Sequence, residues 1–274
     1  MNQNTIDTQR ALGDPCLTIA VAQIYEQYGD TANIIKKAKT LLKFGKSPSI
    51  GTSALETVSQ IAGDEVYVTS NIIDTISCSS AAGVSAITIE GHTVVGTGFD
   101  AKFTFVVQTV TLDGQNKVLL PTPLARVSRA TSHASAQLAG DVYVYEDTVI
   151  VAGVPSDLTK AHIKILGSEG ENTSFKAATT FSDTDYFILT NVVLSVGKKA
   201  SASCDFQLEV RNVGGVFLPA DRFAINSAGS STVQIQFCPC IVVPRNGDIR
   251  VRAISSANNT EVSASFTGYI ATTT

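Results

Sequence analysis

The 274-residue sequence lacks the features that mark several large classes of protein. It has no tryptophan and one methionine, and only 16% of its residues are charged. The formal net charge is −4, without the excess of lysine and arginine that phosphate recognition usually requires. Apolar runs of about 18 residues, the length that a membrane-spanning helix needs, are also missing. We therefore expect neither nucleic acid nor a membrane among the partners of the chain.

Cysteines are few, and the opening residues do not resemble a secretory signal. The five cysteines form an odd, scattered set, which argues against a disulfide framework and indicates small buried apolar residues. They are Cys16, Cys78, Cys204, Cys238 and Cys240. The first residues, MNQNTIDTQR, have neither a basic start nor an apolar stretch. We expect a protein that is made and folded in the cytoplasm.

The first 45 residues predict two helices that share an apolar stripe. Gly29 offers the left-handed position that ends a first helix, Asp30 can cap a second, and Gly45 ends it. Isolated helices of this length are marginal in water, so this arm must dock on the body or on a neighbouring subunit. The stripe and one following aromatic residue form the predicted partner interface: Leu17, Val21, Ile24, Tyr28, Ile34, Ala38, Leu41 and Phe44.

Lysines accompany the second predicted helix. On a helix they would spread around much of the circumference, which indicates a solvated face rather than a phosphate-binding one. They are Lys36, Lys37, Lys39, Lys43 and Lys46.

From Glu65 onward the apolar residues follow the two-residue period of strands. In KFTFVVQTVTL, the residues Phe103, Phe105 and Val107 share one face, and the Asp113-Gly114 pair that follows predicts a hairpin whose return strand is KVLLP. Other segments alternate in the same way, as antiparallel strands with one buried face do: DFQLEVR, TVQIQF, DIRVRAI and EVSASFTGYI.

These patterns predict the fold class. No helical pattern between the strands is long enough for a crossover, which excludes parallel sheets. We predict a mainly β chain, with an antiparallel β-sandwich or jelly-roll-like body of one or two β units behind an N-terminal helical arm. The proposed division is an arm and linker over residues 1–60, a first β unit over 61–154, and a second over 155–274.

Cysteine and histidine patterns that could carry chemistry are weak. Cys238-Pro239-Cys240 lacks the second pair or the histidines that structural zinc needs, and its proline suits an edge strand. His92, His133 and His162 have no metal-binding spacing, and no GxSxG motif accompanies them, although a serine triad formed in space stays open.

Glycine and aspartate patterns are equally weak. Gly91, Gly96 and Gly98 precede no helix, so they indicate a hairpin rather than a phosphate loop. Asp183 and Asp185 lack the further oxygen ligands of a calcium loop. We predict no catalytic residue, cofactor or metal.

Four short segments carry a family resemblance. They are Lys43-Phe44-Gly45, Ile87 to Gly91, Thr109 to Gly114, and Arg126 to Arg129. In this order they resemble virion structural proteins of tailed bacteriophages, marine phages especially, in which a KFG follows N-terminal helices and an etvtLnG hairpin leads to an fxRvxR strand. One departure is GHTVVGTGFD, where the family continues into LD and a short turn.

The resemblance implies a non-enzymatic virion protein assembled in the bacterial cytoplasm. The implied role is head decoration or capsid stabilisation, with copies of itself and the major capsid protein or other virion proteins as partners. A neck, collar or tail-ring component is the alternative. A glycan- or receptor-binding fibre module is a second one, for which Tyr143 and Tyr145 are the candidate stacking aromatics.

Arg126 and Arg129 lie three residues apart and therefore on opposite faces of a strand. We predict that at least one of them pairs with a carboxylate or a backbone carbonyl, either locally or between subunits.

Overall fold

The computed structural model describes residues 37–197, 202–227 and 230–272. Within these ranges the chain is mainly antiparallel β, which confirms the predicted class. Short 3₁₀ turns occupy Gly98–Asp100, Leu158–Lys160 and Gly167–Glu169. The strands are β1 (Lys37–Ile50), β2 (Glu56–Thr57), β3 (Ile73–Cys78), β4 (Ala86–Val95), β5 (Lys102–Thr111), β6 (Val118–Leu124), β7 (Arg126–Ser132), β8 (Val142–Glu146), β9 (Ile150–Val151), β10 (Val154–Pro155), β11 (Ala161–Ile165), β12 (Ala178–Thr180), β13 (Asp185–Gly197), β14 (Ala202–Arg211), β15 (Leu218–Ser227), β16 (Ser230–Val243), β17 (Asp248–Ser255) and β18 (Thr260–Thr272).

Two sheets enclose one apolar core and form what we call the first sandwich. One sheet has the order β1-β18-β13-β16, and the other has the order β12-β17-β14-β15 with β2 also on β17. Alternate residues of the long strands point into the core, among them Leu194, Phe206, Val251 and Phe266, each at most 1% exposed. The alternation predicted for DFQLEVR, DIRVRAI and EVSASFTGYI is confirmed.

A separate core lies within the second sandwich. Its sheets have the orders β11-β8-β3-β6 and β5-β4-β7, and they enclose apolar residues such as Ile76, Ile89, Leu124 and Val144. In the sequence this sandwich lies between β2 and β12, so strands from both sides of it build the first sandwich. The division into units at residues 60/61 and 154/155 stays a prediction.

The second predicted helix is wrong for the part that the structure describes. Residues 37–50 form β1, an edge strand that pairs with β18 from Lys37 opposite Thr272 to Ile50 opposite Thr260. Tertiary pairing overrides the weak local preference for a helix here. The first predicted helix and the residues up to 36 lie outside the described ranges.

The hairpin predicted around Asp113-Gly114 is also wrong, although both of its strands exist. β5 pairs with β4, and β6 pairs with β3 in the other sheet of the second sandwich. Gly114, at φ +56°, donates to the carbonyl of Gly83 and accepts from the N–H of Cys78. The turn therefore bonds to a neighbouring loop and carries the chain from one sheet to the other. The hairpin predicted from the glycines at 91–98 is confirmed as β4 and β5.

The buried face of β5 differs from the expectation. Phe103 is buried, but Phe105 and Val107 are 47% and 56% exposed, while Val110 on the opposite face lies in the core of the second sandwich. The period is that of a strand, as predicted, and the apolar residues lie on both faces.

Gly45 is required by close backbone packing, not by a helix end. A Cβ atom at this position would lie 2.2 Å from the backbone nitrogen of Ala177 and 2.4 Å from the carbonyl oxygen of Val58. The neighbouring carbonyl of Phe44 accepts a 3.0 Å hydrogen bond from the N–H of Lys176. These contacts hold β1 against the segment that leads into β12.

We expect Gly45→Ala to lower the free energy of unfolding by about 3 kcal/mol, because the added methyl group forces backbone atoms apart. Gly197→Ala is the matched control in a strand: the nearest atom, an oxygen of Glu261, would be 3.8 Å away, so a change under about 1 kcal/mol is expected. Chemical denaturation of both variants measures the difference. Equal losses would show that the close approach is not what requires glycine at position 45.

Candidate functional site

Charged side chains gather where the two sandwiches meet. The carboxylate of Asp248, 1% exposed at the start of β17, receives a 2.9 Å hydrogen bond from Nε of Arg211 on β14. Arg126 of β7 reaches the same carboxylate from the second sandwich, with 3.4 Å between its Nε and Oδ1. Thr180 donates to Oδ1 at 2.5 Å. One carboxylate thus joins strands of both sandwiches, and we call this set the Asp248 junction.

Aromatic rings separate the guanidinium groups around the junction. The ring of Tyr67 lies 4.9 Å from the guanidinium carbon of Arg126 and 4.4 Å from that of Arg211. Phe217 lies in the same way between Arg211 and Arg250, at 4.4 and 3.9 Å. Cations over ring faces are attracted by the ring quadrupole, more strongly when water is excluded. Burial raises the pKa of Tyr67 well above its usual range, so the ring carries no negative charge here.

A second ionic cluster continues from this stack. Glu209, 3% exposed, accepts from Nε of Arg250 at 2.6 Å and from Arg252 at 3.2 Å. Asp64 contacts the same two arginines at 3.1 and 3.2 Å. Each buried charge in this cluster has an opposite partner, the condition under which burial is tolerated.

A lysine between the sandwiches completes the junction. Lys176, 4% exposed, pairs with Glu65 and donates to the carbonyls of Val127, at 2.8 Å, and His162, at 3.3 Å. The amine lies between the segment before β12 and two strands of the second sandwich. The chemistry of the whole region is that of paired, immobilised charges.

Arg126 and Arg129 both find carboxylates. Arg126 belongs to the Asp248 junction, and Arg129 lies 3.9 Å from Glu90 on the neighbouring strand. The prediction that at least one pairs is confirmed, and both pairs are within this chain.

The predicted interface residues fall into two groups. Leu17, Val21, Ile24, Tyr28 and Ile34 lie outside the described ranges. Ala38, Leu41 and Phe44 lie on β1, where Leu41 packs against the core of the first sandwich and Phe44 is 39% exposed, with its ring 5.0 Å from that of Phe175. Their role toward a partner stays a prediction.

The lysines of β1 do not form a common solvated face. Lys43 is only 4% exposed and donates to the carbonyl of Ser128. Lys46 lies 3.1 Å from Glu169, and Lys39 is exposed. Sequence reasoning missed the burial of Lys43 because it placed this segment on a helix.

Within the described ranges the three histidines have different neighbours. His92 and His162 are buried, and Nε2 of His162 lies 3.0 Å from Glu146. His133 contacts Oγ1 of Thr88 at 2.6 Å. Within the described ranges no three His, Cys, Asp or Glu side chains form a possible metal site.

The cysteines follow the expectation in part. Cys78, Cys204 and Cys240 are buried and are not disulfide-bonded, as predicted for small apolar residues. Cys238 is disulfide-bonded, which the scattered set did not indicate. Cys238-Pro239-Cys240 lies on the edge strand β16, as the proline predicted.

Asp185, one half of the aspartate pair considered for calcium, is engaged by protein donors. It accepts from the hydroxyl groups of Ser182 and Thr272, both at 2.7 Å. The two tyrosines considered for glycan stacking are buried, with Tyr143 6% and Tyr145 0% exposed. Their rings therefore face protein, and the stacking role is wrong.

Comparisons with known proteins give little guidance. No family model matches the chain, and no curated protein matches it. Among solved structures, the chain is matched to a cowpea mosaic virus empty virus-like particle at 10% identity over 77% of this chain and 87% of that one, with a TM-score of 0.24. A structure of infectious bursal disease virus, Gx strain, matches at 7% identity over 92% of this chain and 77% of that one, with a TM-score of 0.23. The CBM22 tandem domain of Xyn10C from Paenibacillus barcinonensis matches at 10% identity over 86% of this chain and 93% of that one, with a TM-score of 0.21. Likenesses at such TM-scores carry no argument about fold or function.

In the described ranges, no helix is both long enough and apolar enough to cross a membrane.

We expect Asp248→Asn to lower the free energy of unfolding by about 3 kcal/mol or more, because Arg126 and Arg211 would keep their buried charges without a counter-charge. Asp147→Asn removes a carboxylate that is 65% exposed and pairs with Lys117, so a loss under about 1 kcal/mol is expected. Urea denaturation of both variants compares the two sites. An Asp248→Asn protein as stable as the Asp147→Asn control would contradict a stabilising role of the junction.

His92 gives a pH-dependent prediction. Burial lowers its pKa from 6.5 to about 4, so between these values the unfolded chain binds a proton that the folded one does not. Stability contributed by the neutral ring is therefore present above pH 6.5 and is lost as the pH falls toward 4. Between pH 7 and pH 5 the free energy of unfolding of the wild type should fall by about 2 kcal/mol more than that of His92→Phe. Chemical denaturation of both proteins at the two pH values measures the difference. Parallel losses in the two proteins would show that His92 does not titrate as proposed.

Proposed function

We propose that this chain is a non-enzymatic structural protein of a virus particle, specifically of a tailed bacteriophage, assembled in the host cytoplasm and located in the virion. The sequence resemblance at Lys43-Phe44-Gly45, Ile87–Gly91, Thr109–Gly114 and Arg126–Arg129 supports the phage assignment. The structure contributes an independent argument from the way in which its buried charges are used.

The pairing of the buried charges is the observation that carries the proposal. The charges of Arg126, Arg211 and Asp248 hold the two sandwiches together through one carboxylate, and Glu209 and Glu65 are likewise occupied by buried cations. An acid–base or nucleophilic site needs a group left poised to react within reach of a substrate. At the Asp248 junction the charges are paired with one another, and such pairs suit a rigid building block better.

The outer face of β1 is the described part of the proposed subunit interface. Leu42 and Phe44 are 58% and 39% exposed on this face. Within the described ranges β1 is an edge strand with β18 as its one partner in the sheet, and the part of this edge that is not bonded to Lys176 offers backbone groups to an added strand. Residues before Lys37 precede this strand in the sequence, and the predicted anchoring stripe lies among them.

Among virion roles we favour head decoration or capsid stabilisation, in which copies of the chain bind one another and the major capsid protein. A neck, collar or tail-ring position is the alternative, in which ring symmetry replaces lattice binding. Quantitative mass spectrometry of purified particles separates them: on the order of hundreds of copies favours a lattice or shaft, and about a dozen favours a ring. The fibre alternative lacks its proposed stacking residues, because Tyr143 and Tyr145 are buried.

If the apolar stripe anchors the chain, the double substitution Val21→Glu/Ile24→Glu should reduce its incorporation into virus particles. Two added charges would have to be buried against the partner, which is costly for unpaired carboxylates. Expressed in place of the wild type during infection, this variant should be at least about tenfold depleted from particles by quantitative mass spectrometry.

The matched control is Gln23→Glu/Gln27→Glu, which adds the same charge to the same segment away from the stripe and should leave incorporation unchanged. Denaturation curves of both purified variants test that the described body is intact. Equal incorporation of the two variants would contradict an anchor formed by the stripe.

A further inference from the structure

A cavity lined by charged and apolar side chains lies beside the junction, between β1, the sheet of β4, β5 and β7, and the segment from Thr179 to Asp185. Its volume is about 240 Å³. Lys43, Glu90, His92, Phe105, Arg129 and Thr180 are among the residues that line it. Apart from Thr180, which donates to Asp248, these side chains lie outside the Asp248 junction, and the proposed structural function gives them no role.

Lys43 differs from the other buried cations around the junction. Lys176 pairs with Glu65 and Arg250 pairs with Glu209, but among the described residues no carboxylate lies within ion-pair distance of Lys43. Its amine donates to the carbonyl oxygen of Ser128. Burial, together with the charges of Arg129 and Lys176, lowers the pKa of Lys43 from 10.5 to about 7. The amine thus lacks a counter-charge where the other buried cations have one.

His92 lines the same cavity and is also incompletely bonded. The side chain is 4% exposed, and its Nδ1 atom has no hydrogen-bond partner. The rings of Phe103 and Phe105 lie 6.5 and 5.3 Å from the imidazole and offer no acceptor. Unsatisfied buried polar groups are rare and costly, so the Nδ1 atom of His92, beside a buried amine without a carboxylate partner, calls for an explanation.

The remaining charges of the cavity favour an anion. Lys39, Lys43 and Arg129 are positive, and the two carboxylates are already engaged. Glu90 lies 3.9 Å from Arg129, and Asp185 accepts from two hydroxyl groups. A cation would meet the positive charges of Lys39 and Arg129 here, and an apolar molecule would leave Nδ1 of His92 without a hydrogen-bond partner.

We propose that this cavity binds a small anion bearing a carboxylate or phosphate group, with the Lys43 amine and the His92 imidazole as its ligands and Arg129 as a third positive charge at the site. The anion supplies the counter-charge that Lys43 lacks and an acceptor for the imidazole N–H. Charge-assisted hydrogen bonds of this kind are roughly twice as strong as neutral ones. Binding therefore stabilises the contact of β1 with the second sandwich.

The test uses isothermal titration calorimetry of the full-length protein with inorganic phosphate and, separately, with citrate, at constant ionic strength set by sodium chloride. We expect saturable binding of at least one anion, with a Kd of about 1 mM or lower, and an increase in Tm on addition of the same anion. The anion that binds more tightly identifies the ligand class as phosphate or carboxylate.

Lys43→Met keeps the length of the side chain and should weaken binding at least about tenfold. His92→Phe should weaken it as well, which provides a second variant should Lys43→Met fail to fold. Lys117→Met, at a solvent-exposed lysine paired with Asp147, is the matched control and should bind as the wild type does. Absence of saturable binding for both anions, or equal Kd values in the wild type and in the folded cavity variants, would overturn the proposal.

Discussion

The buried carboxylate of Asp248 is the interaction on which the arrangement of the two sandwiches depends. It is reached by Arg211 from the same sheet and by Arg126 from the other sandwich, so the Arg126 guanidinium is neutralised only when both sandwiches are in place. Burying each charge costs several kcal/mol of desolvation free energy, and removing one partner of a buried pair is strongly destabilising. Tyr67 and Phe217 fill the spaces between the cations with ring faces, which excludes water and strengthens the same attraction. The two apolar cores are separate, and the pair of Arg126 with Asp248 links the sandwiches that contain them.

The strands around the first core could be predicted from the sequence because their apolar residues alternate strictly. Phe206 and Leu208 face the core as the pattern indicated. The same pattern placed Glu209 and Arg250 on a solvated face, and there it failed. Both faces of this sheet are covered, one by an apolar sheet and the other by charged side chains that neutralise one another. Local periodicity detects the first kind of burial and not the second, since paired charges look like surface residues in a single sequence.

The errors at β1 and at Gly114 have a common origin in distant pairing. Ala38 and Leu41 lie three residues apart, a spacing that suits a helix, and nothing nearby reveals that β18 will pair with this segment. Asp113-Gly114 carries the chemistry of a tight turn, and the turn does form, but its backbone groups bond to Gly83 and Cys78. The cavity lysine was missed for the same reason, because Lys43 is buried only when β1 is a strand. Residue type determined the local geometry, and the choice of partner strand required the whole chain.

The pairing of β1 with β18 also orders the events of synthesis. β1 leaves the ribosome before every other described strand, and its partner leaves last. The second sandwich contains only strands between Ile73 and Ile165, so its core can close while the rest of the chain is still being translated. Until Thr260–Thr272 emerges, the nascent chain carries an unpaired strand with Leu42 and Phe44 on it, the kind of edge that aggregates when it is left open. The inserted sandwich can therefore fold before the first one is complete, and β1 remains without its partner strand for nearly the whole of translation.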